Sequence, residues 1–135
     1  MIRKTLILLC VCAASAFLSC AKAPEPAKLL YVMAEVTCAS GNGTALVTVK
    51  KGSSSGETVS GAAVTINSQP LDWSGSAYYS GTLTGLNSGT QATLSIISSE
   101  GNITSISTVP AAGGNIVGIP VANAASGSQF IITNN

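Results

Sequence analysis

The chain has 135 residues, with six Lys plus Arg, five Asp plus Glu and no His. Charge this sparse and scattered excludes the basic footprint of a nucleic-acid-binding surface, and the lack of histidine removes Ser-His and Cys-His nucleophiles. Val, Ile, Leu and Ala in alternating runs, with Ser, Thr, Gly and Asn as the polar complement, point to a folded, secreted β-protein rather than a disordered one.

The chain opens on a leader. Met1-Ile2-Arg3-Lys4 is a basic head, and Thr5 to Leu18 is an apolar stretch of about 14 residues, shorter than the roughly 20 that span a bilayer core. Length and flanks predict a cleaved signal helix rather than a transmembrane anchor. The stretch ends in Phe17-Leu18-Ser19-Cys20, which resembles the lipobox of bacterial lipoproteins. That resemblance is confined to the leader. It implies cleavage before Cys20, diacylglycerol with its two acyl chains on the Cys20 thiol and a further acyl chain, such as palmitate, on the new amino terminus. Family lipoboxes prefer Leu where this chain has Phe17, while the small Ser19 fits. The alternative cleavage site is Ala14-Ser15-Ala16, an A-x-A pattern. By resemblance to lipoprotein sorting, Ala21 after the lipid site implies delivery to the outer membrane of a bacterial cell envelope.

Ala21 to Lys28 carries Pro24 and Pro26 among small and polar residues, the composition of an extended tether. The predicted organisation is therefore a signal peptide over 1–19, a lipidated tether over 20–28 and one β-domain over 29–135. Two acyl chains meet the two-signal condition for stable membrane attachment. With Arg3 and Lys4 removed, four Lys stand against five acids, a net charge of −1.

Cys10 and Cys12 lie in the leader, so Cys38 is left alone in the mature chain once Cys20 takes lipid. Val32, Ala34, Val36 and Cys38 alternate onto one face of a strand predicted over Leu30 to Cys38. The thiol reads as a buried small hydrophobe, the other readings being a reactive thiol or an intermolecular disulfide. One thiol, one Asp and no His do not assemble a metal site.

Further strands are expected at Ala45 to Lys50, after a Gly41-Asn42-Gly43 turn, and at Ala62 to Asn67. Asn67 to Gly75 reads as a loop carrying Pro70, Leu71 and Trp73. Tyr78 to Leu83 and Gln91 to Ser98 follow, and a hairpin turn at Ser99-Glu100-Gly101-Asn102, with Gly101 accepting positive φ, leads to Ile103 to Val109. Ile116 to Val121 and Gln129 to Thr133 complete the series. There is no internal repeat. Seven or eight short strands with Gly-rich turns predict an all-β fold, a single antiparallel β-sandwich.

Within this series Gly61-Ala62-Ala63-Val64-Thr65-Ile66-Asn67, Tyr79-Ser80-Gly81-Thr82-Leu83, Thr93-Leu94-Ser95-Ile96 and Thr108-Val109-Pro110 resemble the strands of immunoglobulin-like or carboxypeptidase-regulatory-like modules of secreted bacterial proteins. The resemblance covers roughly residues 45–110. It implies an immunoglobulin-like sandwich, and such modules share no catalytic residues to carry over.

The five acids are dispersed, so no paired carboxylates for general acid–base work stand out. No Ser-x-x-Lys motif precedes a helix, no phosphate-loop or dinucleotide motif is present, and no enzyme activity, cofactor or metal is expected. One constellation suggests a ligand: Asp72 and Trp73 with Tyr78. Their aromatic rings could stack on a sugar, with Asp72 taking its hydroxyls. The alternative is that Trp73 caps the core edge and Tyr79 lies inside. Asn42-Gly43-Thr44 and Asn102-Ile103-Thr104 match glycosylation sequons but read as turn chemistry in a bacterial chain. The expectation is a membrane-anchored, non-enzymatic lipoprotein with a structural or protein-interaction role, the alternative being a module that binds a glycan or another small polar ligand.

Overall fold

The computed structural model describes residues 29–135. The predicted signal helix, Cys20 and the tether lie outside those residues. Nine strands run in chain order: β1 (Leu30–Ala39), β2 (Gly41–Lys51), β3 (Ala63–Ile66), β4 (Gln69–Trp73), β5 (Tyr79–Leu86), β6 (Gln91–Ser98), β7 (Gly101–Thr108), β8 (Asn115–Pro120) and β9 (Gln129–Asn134). They join in the order β7-β6-β3-β4-β5-β2-β1-β9-β8, a single curled sheet. The fold is all-β, as the sequence predicts.

Alternation sets the faces. Val32, Ala34, Val36 and Cys38 of β1 point inward, as do Ala45, Val47 and Val49 of β2 and Ala92, Leu94 and Ile96 of β6. They merge with Val64, Ile66, Leu71, Tyr79, Leu83, Leu86, Phe130 and Ile132 into one buried cluster. Each large aliphatic side chain enclosed there contributes about 1.5–3 kcal/mol of transfer free energy.

Apart from the β1–β2 turn, which sits at Ser40-Gly41 rather than over Gly41-Asn42-Gly43, the architecture differs from the sequence expectation in two respects. One is the direction of β9. It lies parallel to β1, with Met33 opposite Gln129 and Cys38 opposite Asn134, so the sheet is mixed rather than purely antiparallel. Val32 N–H donates to Ser128 Oγ at 2.9 Å and Ala125 N–H to Leu30 O at 2.7 Å. These bonds hold the 121–128 segment along the start of β1, so that β9 arrives running in the same direction.

The other is β4, an extra strand inside the expected 67–75 loop. Asn67 and Ser68 both take positive φ, 50° and 64°, and make a two-residue hairpin that sets Ile66 opposite Gln69. Primed turns of this kind match the twist of the strands they join. Pro70 then pairs with Thr65, and Leu71 with Val64. A proline supplies no N–H to a ladder, and beside it the Gln69 side chain ties β4 to β5. Its amide donates to Thr84 O at 3.0 Å and accepts from Thr84 N–H at 2.9 Å. Across from it Gly81 has no side chain; a Cβ there would lie 2.9 Å from Leu71 Cδ2. β4 meets β5 only through Asp72 opposite Ser80 and Trp73 opposite Tyr79. It is the strand shared by the two halves of the curl.

Candidate functional site

The sheet divides the three residues singled out as a ligand trio between its two faces. Leu71 and Trp73 point inward along β4, while Asp72 points outward. Trp73 is half-buried, packed against the core, with its ring centroid 5.0 Å from that of Tyr79 and the rings tilted by 54°. Tyr79 is fully enclosed. Its hydroxyl donates to Val59 O at 2.7 Å and accepts from Ala62 N–H at 3.0 Å, pinning the segment that leads into β3. The tilted pair is the arrangement aromatic quadrupoles favour. Trp73 and Tyr79 thus close one side of the core.

Tyr78 lies on the opposite face and is exposed. Ser74 organises the turn before it: Ser74 Oγ accepts from the backbone N–H groups of Ala77 and Tyr78, each at 3.2 Å. Tyr78, Leu46, Ser80, Glu35, Thr37 and Thr44 line a shallow cleft of about 400 Å³ on the outer sheet face. Asp72 stands beside it, opposite Ser80. Asp72 and Tyr78 therefore share a surface, and Trp73 does not. The residues missed in sequence are Glu35, Thr37, Thr44 and Leu46. Their outward phase on β1 and β2 was legible, but their adjacency to β5 depends on a β2–β5 pairing that places Leu46 opposite Ser80.

A second cleft, about 370 Å³, is lined by Leu29, Leu30, Lys51, Gly52 and Glu100. Here the β6–β7 turn meets the start of β1 and the end of β2. Lys51 Nζ lies 3.3 Å from Glu57 and 3.5 Å from Glu100. The hydrogen bond to Glu57 and the charge of Glu100 hold the Lys51 ammonium above its ordinary pKa. A solvated ion pair of this kind adds little to stability. Gly101 carries a φ of 148° in that hairpin, the positive value expected for it.

Cys38 is 2 % exposed, and its Sγ donates to Thr133 O at 3.5 Å. Burial pushes its thiol above the ordinary cysteine pKa. This is the environment of an inert thiol. Among the described residues no group of three or more His, Cys, Asp or Glu could hold a metal ion. Comparison of the chain with protein families, with curated proteins and with solved structures yields no match.

Proposed function

We propose that this chain is a bacterial lipoprotein, anchored through lipid on Cys20 and presenting one β-domain, without enzymatic activity, for protein interaction at the envelope. The observation that carries the reading is the junction of leader, tether and fold. The lipobox-like Phe17-Leu18-Ser19-Cys20 is followed by the Pro-containing tether, and the domain begins almost at once, Leu30 being buried at the head of β1. β1 begins at the Lys51–Glu100 end, so an anchor preceding it leaves the Ser40–Gly41 end of the sheet to face away from the attachment. The inner–outer alternation on both sides of β4 further supports an immunoglobulin-like sandwich, with β5-β2-β1-β9-β8 facing β7-β6-β3 and β4 joining them. Outer-membrane delivery rests on Ala21. Fractionation of cells tests the anchor: the full chain is expected with the membranes and a Cys20→Ala variant in the soluble fraction. Equal membrane association of both would refute it.

A specific observation favours a second reading, in which the outer cleft binds a glycan. An exposed Tyr78 ring beside Glu35, Thr37, Thr44 and Ser80 offers a stacking surface bordered by hydroxyl and carboxylate partners. Titration with cell-wall and capsule glycans would show saturable binding lost in Tyr78→Ala and kept in Trp73→Phe. Absence of binding to the parent chain would leave the interaction reading alone.

A further inference from the structure

The two edges of the sheet are built differently. At one end β8 pairs with β9 through a register shift between Ile116 and Ile119 and finishes on Pro120. An irregular edge ending in a proline is poorly suited to accept another strand. At the other end β7 pairs with β6 in unbroken register from Gly101 to Thr108, and no described strand pairs with its outer side. β7 has no Pro, no Lys, no bulge and no charged residue of any kind. It lacks the devices that keep strand edges apart.

The outward groups of β7 can be assigned. Val109 N–H donates to Thr90 O, and Val109 O accepts from Gly89 N–H, so Val109 is bonded toward β6. Antiparallel ladders alternate. Ser107, Ser105 and Ile103 are therefore also bonded toward β6, and the N–H and C=O groups of Asn102, Thr104, Ile106 and Thr108 point away from it. Among the described residues the most exposed large apolar side chains belong to this same hairpin. Ile97 on β6 is 57 % exposed and Ile106 on β7 is 55 % exposed.

We propose that β7 pairs antiparallel with β7 of a second copy of this chain, about a two-fold axis at Ser105. In that register Asn102 faces Thr108 of the second copy and Thr104 faces Ile106. Each outward N–H and C=O of the four residues then meets one from the other copy, so the edge is its own complement. Charge agrees with a second copy as occupant. No like charges meet along β7, and the two Glu100 carboxylates, beyond opposite ends of the paired region, stand roughly 30 Å apart at 3.4 Å per residue. The shape of β8 sets the size of the assembly. With that edge irregular, pairing through β7 closes at two copies instead of growing into a filament.

The test is sedimentation of the full chain, extracted from membranes in mild detergent, over a hundredfold range of protein concentration. The parent is expected to run as a monomer–dimer equilibrium. Ile106→Lys, which puts charge on the edge facing Thr104 of the second copy, should weaken dimerisation at least tenfold. Thr104→Lys, at an exposed position, should do the same, keeping the test valid if the first variant folds poorly. Thr82→Lys, also exposed but on the interior strand β5, should dimerise like the parent. A parent chain that stays monomeric at every concentration overturns the proposal. So does a dimer indifferent to both edge variants, or one that Thr82→Lys disrupts to the same degree. Assemblies larger than two copies would overturn the closed two-fold arrangement.

Discussion

Tyr78 and Tyr79 are neighbours in sequence, yet removing one oxygen from each should have very unequal consequences. The Tyr79 hydroxyl is enclosed and makes two hydrogen bonds, to Val59 O at 2.7 Å and from Ala62 N–H at 3.0 Å. Tyr79→Phe keeps the ring and therefore the 5.0 Å contact with Trp73, so its cost isolates the polar contribution. Val59 O is left buried without this partner, which costs about 1–3 kcal/mol. Ala62 N–H is only partly enclosed, so water can satisfy it and its loss adds at most about 1 kcal/mol. A destabilisation of about 2–3 kcal/mol results. For a domain near 100 residues that lowers Tm by roughly 10 °C. Urea unfolding followed by Trp73 fluorescence measures it as a fall in midpoint at constant m-value. Tyr78→Phe, at an exposed ring, should change stability by less than about 0.5 kcal/mol. Equal midpoints for the two variants would refute the assignment of Tyr79 as the pin for the segment before β3.

Trp73→Ala should cost about 2–3 kcal/mol, the half-buried ring losing less than the 3–5 kcal/mol of a fully enclosed aromatic; the loss is read by urea unfolding followed by circular dichroism. Gln69→Ala should cost about 1 kcal/mol by removing the side-chain bridge to Thr84 that ties β4 to β5, whereas Gln69→Glu keeps the acceptor and should cost less; the same unfolding curves rank the two. Cys38 should resist a membrane-impermeant thiol reagent in the folded protein, with mass spectrometry showing adduct only after denaturation. Its raised pKa also fixes a pH dependence. Below the ordinary thiol value the group is neutral in both states; above it the unfolded chain ionises first, so stability falls as pH rises through the folded value. Cys38→Ala should remove that alkaline loss, as measured by unfolding across pH 8–11.

The inward residues of β1, β2 and β6 could be read directly, because strict alternation leaves only one way to hide Val32, Val47 or Leu94. The same period placed Cys38 inside. β4 was illegible for a physical reason. Pro70 marks an ordinary strand as broken, and nothing local shows that the Gln69 amide, reaching to Thr84, holds this strand against β5. The hairpin before it uses Asn67 and Ser68 in place of a glycine, which weakens the turn signal further. The parallel course of β9 depends on bonds between Leu30, Val32 and residues more than ninety positions away, and no local pattern encodes them. The ligand trio divided for the simplest reason of all. Asp72 and Trp73 are adjacent, and adjacent residues on a strand face opposite ways. Once Leu71 is inside, Trp73 is inside as well, and Asp72 is left on the surface with Tyr78.

The central claim is the lipid anchor, and intact-mass analysis of the mature protein recovered from its membranes tests it most directly. The account predicts an amino terminus at Cys20 carrying diacylglycerol and an additional acyl chain, with residues 1–19 absent. A mature chain that begins at Phe17, after the Ala14-Ser15-Ala16 site, and carries no acyl mass would contradict it.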